Sequence, residues 1–170
     1  MVISGASTQE AITAAMPSRV NAETGSWVWK TVLVNVEKRK PAIPSLSKPD
    51  LYRYIAGIIK GKNCNLITIN GMPDHLHLLV DLHPSVPLAE LVRAVKQSST
   101  NMMKENPSLF PWFEGWGRGY FASSVSPKLK EACKKYISEQ EIHHGGEGFV
   151  IELRYLIEKN GLEWFPDEWE

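Results

Sequence analysis

Two histidines separated by one residue form the first group of side chains that could do chemistry. His75 and His77 lie in the segment Asp74-His75-Leu76-His77-Leu78-Leu79-Val80, whose aliphatic residues predict a β-strand. On a strand both imidazoles project from the same face, about 6.5–7 Å apart, and could bind one divalent cation together. The alternative is that both face solvent on an open sheet. No thiolate or imidazole ligands follow at the usual spacing, which disfavours a structural zinc ion.

A tyrosine and a glutamine four residues apart form the second group. Tyr136 and Gln140 lie in a segment with helical patterning, so their side chains share one face of the helix. A phenol beside an amide on a polar helical face could be a nucleophile; the alternative is an ordinary amphipathic surface helix. His143 and His144 follow one turn later, although cations near a helix C-terminus are favourable without any chemistry.

The elements that must position these residues follow the order β-α-β-β-α-β, with two further helices. Strands are predicted at Trp27–Val36, Asn65–Asn70, His75–Leu82 and Gly119–Val125. Helices are predicted at Pro49–Lys60, Leu88–Lys104, Pro127–His144 and Glu147–Lys159, with Ser47 and Ser126 as N-caps of the first and third. This order predicts an α+β, ferredoxin-like (split β-α-β) fold. Its antiparallel sheet has helices on one face, and a C-terminal helix carries the tyrosine.

Composition predicts a single globular domain. The chain has 170 residues, of which 43% are hydrophobic and 22% charged, enough for one sizeable core. We interpret residues 1–26 as an N-terminal arm and residues 27–170 as the catalytic domain. Two distant cysteines disfavour a disulfide scaffold. No apolar run has the ~18–20 residues of a membrane span and no signal peptide is recognised, so we expect a soluble, cytoplasmic protein.

The charges are segregated although the chain is neutral overall. Nineteen basic and nineteen acidic residues cancel, but residues 27–135 carry +8, while residues 136–170 carry −7 and residues 1–26 carry −1. A polyanion could therefore dock on the middle of the chain. The alternative is a set of unrelated solvated faces.

Together, the two groups resemble the IS200/IS605-type transposases, the single-tyrosine members of the HUH endonucleases. The resemblance covers about residues 27–165 and is specific in the order and spacing of its motifs. The motifs that carry it are Gly71-Met72-Pro73-Asp74-His75-Leu76-His77-Leu78-Leu79-Val80, Leu91-Val92-x-x-Val95-Lys96-x-Ser98-Ser99, Gly119-Tyr120-Phe121-Ala122-Ser123-Ser124-Val125, Tyr136-Ile137-x-x-Gln140-x-x-His143-His144 and the closing helix at Glu147–Gly161.

The resemblance implies a transposase that cleaves and rejoins single-stranded DNA in DNA transposition and recombination. It implies that His75 and His77 bind Mg²⁺ or Mn²⁺, with Gln140 as a third ligand. Tyr136 would attack phosphorus and leave a 5′-phosphotyrosine bond and a free 3′-hydroxyl. Members of the family are commonly homodimers, and in some the tyrosine helix serves the partner's metal site.

Basic and aromatic side chains would hold single strands and hairpin ends through phosphates and stacked bases. The candidates are Lys38, Arg39, Lys40, Arg93, Lys96, Arg118 and Tyr120, with Trp112 and Trp116 as further aromatics. Some of these aromatics could instead belong to the core. Three alternatives stay open: a domesticated nuclease with the same chemistry acting on repeated palindromic hairpins, a catalytically inactive nucleic-acid-binding module, and a metal-binding regulator of a small ligand.

Overall fold

Within residues 28–140 the architecture is a four-stranded sheet with three α-helices. The computed structural model describes residues 28–140 and, beyond them, Arg154, Glu158, Lys159, Gly161 and Glu163. The strands are β1 (Trp29–Asn35), β2 (Asn65–Met72), β3 (His75–Asp81) and β4 (Phe121–Val125), and the helices are α1 (Lys48–Gly61), α2 (Leu88–Glu105) and α3 (Lys130–Ser138). The predicted arm, His143, His144 and most of the predicted closing helix lie outside the described residues. Within the described part, no helix is long and apolar enough to cross a membrane.

The sheet has the order β2-β3-β1-β4, and all of its neighbours are antiparallel. This is the order expected of a ferredoxin-like fold, so the predicted fold class is confirmed. The strand β3 is central, because His77 pairs with Leu33 of β1 on one side and with Asn70 of β2 on the other. Both histidines therefore lie on a strand that is hydrogen-bonded to a neighbour on each side.

One face of the sheet forms the main core with α1 and α2. In β1 and β3 every second residue points into it, as the period-two pattern predicts, and in β2 the alternation shifts at an irregularity between Leu66 and Thr68. Its buried strand residues include Val32, Val34, Leu66, Ile69, Leu76, Leu78 and Val80. The helices contribute Leu51, Ile55, Ile59, Leu91, Val92 and Val95. Because Leu76 and Leu78 alternate with the two histidines, burial of the leucines fixes the imidazoles on the opposite face.

The helix α3 packs on that opposite face, against β2 and β3. Ile137 of α3 is buried against Trp29 and Leu79, and the ammonium group of Lys130 lies 4.6 Å from the centre of the Trp29 ring. An apolar contact and a cation–π contact thus seat α3 on the sheet. The second face of the sheet is therefore partly covered by the tyrosine helix.

The two serines predicted as N-caps differ in outcome. Ser47 occupies the N-cap position of α1 as predicted, but its side chain makes no capping bond; its hydroxyl donates instead to the carbonyl oxygen of Leu109, 2.7 Å away. Ser126 also makes no capping bond, and α3 begins only at Lys130 because Pro127–Leu129 first form a 3₁₀ turn. In place of side-chain caps, α1 is preceded by a serine bonded to a distant loop, and α3 is preceded by a 3₁₀ turn.

The strand β2 runs two residues further than predicted, through the Gly71-Met72 pair. Gly71 pairs with Leu76 across the hairpin. A Cβ atom at Gly71 would lie 2.2 Å from the carbonyl oxygen of His75, so only glycine permits this close approach. The predicted turn is therefore part of the ladder that supports the first histidine.

Candidate metal and nucleophile site

The two histidines form a buried pair on β3. His75 and His77 are 1% and 6% exposed, and their ring centroids lie 5.2 Å apart. The Nε2 atoms of both rings are shielded from solvent. The interpretation of two solvent-facing histidines is therefore wrong, and their shared face follows the strand periodicity.

Asp74 orients the first imidazole. Its Oδ1 atom lies 2.7 Å from Nδ1 of His75. Burial raises the pKa of Asp74, but the hydrogen bond with His75 and the charge of Arg39 outweigh it and hold the pKa below its usual value. An ionised carboxylate can only accept, so Nδ1 of His75 carries the proton and Nε2 is the nitrogen left for a metal.

Asn70 anchors the end of the tyrosine helix to the sheet. Its Nδ2 atom donates to the carbonyl oxygens of Ile137 (3.1 Å) and Ser138 (3.2 Å), while its Oδ1 atom accepts from the N–H of Gly71 at 2.9 Å. Asn70 pairs with His77 in the sheet. A neighbour of the histidine pair therefore fixes the backbone just before Gln140. The sequence analysis assigned Asn70 no role; an asparagine in a largely buried strand was the available signal.

Gln140 lies directly after α3 and is fully buried. Its Oε1 atom is shielded from solvent, as are the Nε2 atoms of the histidines. Two imidazole nitrogens and one amide oxygen form a mixed donor set that fits a divalent cation. Among the described residues there is no group of three or more His, Cys, Asp or Glu side chains that could hold a metal ion.

Tyr136 and His77 line the same cavity. It has a volume of about 240 Å³, and Leu33, Phe121 and Cys133 form part of its wall. Tyr136 is 38% exposed, so its phenol is accessible from the cavity mouth. The structure thus brings the predicted nucleophile beside one of the predicted metal ligands.

Two other groups at this cavity bear on its chemistry. Burial raises the pKa of the Cys133 thiol to about 11, so this thiol stays neutral and is a poor nucleophile and metal ligand. Lys159 also lines the cavity, although no sequence motif pointed to it. The Nζ atom of Lys135, next to Tyr136 in the chain, lies 3.9 Å from Oε1 of Glu139 on the exposed side of the helix.

Four of the predicted DNA-binding residues line one groove between α2 and the segment before β4. They are Arg93, Lys96, Arg118 and Tyr120, and the groove has a volume of about 530 Å³. The Nζ atom of Lys96 donates to the carbonyl oxygens of Gly117 (2.8 Å) and Gly119 (2.5 Å). Burial lowers the pKa of Lys96 to about 8. We name this surface the basic groove.

The other three predicted DNA-binding residues lie together and do not line the basic groove. Lys38 and Arg39 belong to a 3₁₀ turn after β1, and Lys40 follows it. Arg39 lies 3.8 Å from Asp74, and Lys40 forms a 2.5 Å ion pair with Glu114. Arg39 thus contributes to the electrostatics of the carboxylate that orients the first histidine.

The sequence matches a protein family over most of the described part. Residues 27–140, more than half of the chain, match the family model described as "Transposase IS200 like". The chain belongs to the IS200-like transposase family. This transposase is 33% identical over 95 residues to the ISDra2 transposase TnpA of Deinococcus radiodurans. The match covers 54% of this chain and 66% of that protein, so the chain spans just under two thirds of the relative's length.

Two solved structures share the fold of this transposase. One is a crystal structure from Deinococcus radiodurans R1, described as a candidate transposase, with a TM-score of 0.54 and 22% identity; the match covers 74% of this chain and 97% of the other. The second is a REP-associated tyrosine transposase bound to a REP hairpin, with a TM-score of 0.56 and 15% identity. That match covers 84% of this chain and 85% of the other. At these identities the likeness shows the ferredoxin-like fold.

Proposed function

We propose that this IS200-like transposase is a single-strand DNA endonuclease and strand transferase that acts through a 5′-phosphotyrosine intermediate. The observation that carries the proposal is the shared cavity of Tyr136 and His77. The nearby Gln140 is buried at the end of the same helix. A nucleic-acid-binding module or a regulator of a small ligand would need no such convergence of a phenol with metal-ligand side chains.

The proposed chemistry assigns one role to each group. His75, His77 and Gln140 would hold Mg²⁺ or Mn²⁺, which when bound would withdraw charge from a phosphate oxygen and stabilise the charge that grows in the transition state. The Oη atom of Tyr136 loses its proton and attacks phosphorus. The bond from phosphorus to the 3′-oxygen breaks, and that oxygen takes up a proton to become a free 3′-hydroxyl.

The intermediate keeps the energy of the broken bond. The 5′ side of the DNA stays on Tyr136 as a phosphodiester, so another 3′-hydroxyl can attack it and restore the phenol without ATP. Water would hydrolyse the same bond and end the reaction. Leu33 and Phe121 give the cavity apolar walls, which favours shelter of the intermediate and strand transfer over hydrolysis.

Single-stranded DNA with hairpin ends is the proposed substrate. The basic groove supports it, because Arg93, Lys96 and Arg118 converge there beside the Tyr120 ring. The structural neighbour bound to a REP hairpin supports hairpins as the folded part of the substrate. It also favours the second candidate, a domesticated nuclease that cuts repeated palindromic hairpins with the same chemistry.

We further propose that the tyrosine acts on the metal site of its own chain. The bonds from Asn70 to the carbonyls of Ile137 and Ser138 support this arrangement, because they hold α3 against its own sheet. A homodimer remains a prediction from the resemblance, and it would then carry two separately assembled sites.

The decisive test is adduct formation on a labelled single-stranded hairpin with Mn²⁺. The wild-type chain and Tyr54→Phe, which alters an exposed tyrosine on α1, are expected to form a covalent DNA adduct visible on a denaturing gel. Tyr136→Phe is expected to lose the adduct by at least about 1,000-fold while it still binds the DNA. Cys133→Ser, in the same cavity, is expected to keep it.

Two results would contradict the proposal. An undiminished adduct with Tyr136→Phe would move the nucleophile elsewhere, and an adduct that forms equally in excess EDTA would remove the role of the metal. A wild-type chain that binds the hairpin but forms no adduct under any divalent ion would favour the inactive binding module.

A further inference from the structure

A second groove lies beside the histidine hairpin and has no role in the chemistry above. It has a volume of about 740 Å³. Prolines and aromatics dominate its lining, with Pro41, Pro44, Pro73, Pro111, Trp112 and Phe113. Trp112 is 64% exposed, whereas Phe113 is buried and packs edge-on against Trp116, with ring centroids 5.3 Å apart. A rigid wall thus presents one indole to solvent. We name this surface the Trp112 groove.

The rim of the Trp112 groove carries excess positive charge. Lys40 and Glu114 line the groove and pair with each other. Lys38 and Lys104 also lie close enough to act electrostatically on Glu114. Three lysines around one carboxylate leave a positive rim, which suits a phosphate backbone.

The Trp112 groove is joined to the histidine hairpin by the backbone. Pro73 lines the groove and precedes His75 by two residues, so their Cα atoms are at most roughly 7 Å apart. The N–H of Ile43 donates to the carbonyl oxygen of Pro73 at 2.9 Å, and the N–H of Val36 donates to that of Asp74 at 2.7 Å. The groove wall and the first metal-ligand candidate are therefore parts of one hydrogen-bonded unit.

The Trp112 groove also adjoins the basic groove. Glu114 lines both surfaces. A continuous path therefore runs from the histidine hairpin past Trp112 to Arg93 and Arg118. Basic side chains and an exposed indole line this path, and these are features of grooves that bind one unpaired strand.

From this placement we infer that Trp112 is a stacking platform for one unpaired base in the single-stranded flank next to the cleaved phosphate. The inference rests on the proposed function, which identifies the bound strand as single-stranded DNA. An exposed indole can stack on any base, and the neighbouring lysines meet the phosphates on either side. The subsite would grip the flank without selecting a particular base.

Binding without cleavage tests the inference. The chain would carry Tyr136→Phe, and the affinity for a fluorescent 12-nucleotide oligothymidine would be measured by anisotropy in EDTA. Trp112→Ala is expected to weaken binding by about 5- to 100-fold, and Trp112→Phe by no more than about 3-fold. Leu46→Ala is the matched control, because Leu46 is 95% exposed in the same part of the chain and does not line the groove.

An abasic nucleotide locates the contact. The abasic nucleotide is placed at successive positions in the single-stranded flank of a hairpin. At one position it is expected to weaken binding of the chain that keeps Trp112. At that position it should not weaken binding of Trp112→Ala any further, because the two changes remove the same contact. Unchanged oligothymidine affinity of Trp112→Ala would overturn the inference. The inference would also be overturned if Trp112→Ala changed only the oligomeric state measured by sedimentation, because the groove would then bind a second copy of the chain.

The experiment also separates this inference from the proposed function. If the wild-type chain forms no tyrosine adduct but Trp112→Ala still weakens oligothymidine binding, the cleavage chemistry fails and the stacking subsite stands. If the adduct forms and Trp112→Ala binds normally, the stacking subsite fails and the cleavage chemistry stands.

Discussion

The proton on Nδ1 of His75 decides which of its two nitrogens can reach a metal. Asp74 fixes that proton through a 2.7 Å contact, and its depressed pKa means that it does so as a carboxylate. Such carboxylate–histidine contacts raise the basicity of the imidazole and hold its ring at one angle. Asp74 is thus a positioning residue for the proposed site.

Removal of this carboxylate should weaken metal binding without loss of the fold. Asp74→Ala is expected to lower the affinity for Mn²⁺ by about 10- to 100-fold, measured by isothermal titration calorimetry. Asp81→Ala, at the other end of the same strand, is the control and should keep wild-type affinity. An equal loss of Mn²⁺ affinity in the two variants would contradict the specific role of Asp74, because any negative charge near β3 would then have the same effect.

At the scale of residues, the sequence predicted that His75 and His77 share one face of the strand, but it did not predict that both are buried. The alternation in β3 placed His75 and His77 on one side because side-chain direction on a strand is local. Whether that side faces water depends on α3, whose Ile137 packs there from far along the chain. Asn70 was missed for the same reason, since its acceptors, the carbonyls of Ile137 and Ser138, are 67 and 68 residues away.

The helix α3 and the sheet must be joined for Tyr136 and Gln140 to meet the histidines. The contact has three parts: apolar packing of Ile137 against Trp29 and Leu79, the cation–π contact of Lys130 with Trp29, and the two hydrogen bonds from Asn70. The apolar part tolerates sliding, because it is non-directional. The Asn70 bonds are directional and occur at the end of the helix nearest Gln140, so they set its register.

Loss of the donor should uncouple the helix from the site. Asn70→Asp replaces the Nδ2 donor with a second acceptor facing two carbonyls and is expected to lower the rate of adduct formation by about 10- to 100-fold, measured in single turnover at saturating Mn²⁺. Oligothymidine affinity should change less than about 3-fold. Asn106→Asp is the control: it removes a hydrogen bond from the side-chain amide to the carbonyl oxygen of Met102, near the end of α2. This variant should leave the rate of adduct formation unaltered.

At the scale of the whole molecule, the proposed chemistry and the proposed DNA binding lie on different surfaces. The cavity of Tyr136 lies on the sheet face under α3, while the basic groove lies along α2 beside the segment before β4. The segregated charge of the sequence predicted a basic surface, and four of its candidates do converge there. Which candidates would be tied to carboxylates, as Arg39 and Lys40 are, depended on loop packing that no local pattern encodes.

Lys96 should make DNA binding depend on pH. Because its pKa is lowered to about 8, it is mostly charged at pH 7 and mostly neutral at pH 9, whereas an ordinary lysine stays charged at both. The affinity for oligothymidine is therefore expected to fall as pH rises from 7 to 9, with a salt slope smaller by up to about 0.7, measured by anisotropy titrations at several salt concentrations.

The matched variants are Lys96→Gln, which should remove most of this pH dependence, and Lys104→Gln, which changes another lysine of the same groove and should retain it. A pH dependence that survives in Lys96→Gln would assign the effect to a different group.

The strand β3 contributes to the core with Leu76, Leu78 and Val80 and to the proposed site with the histidines between them. A slip of one residue would send the imidazoles inward and the leucines outward. The core and the proposed site therefore depend on the same register of β3. A mutation that shifts this register would disturb both the packing of the core and the position of the histidines.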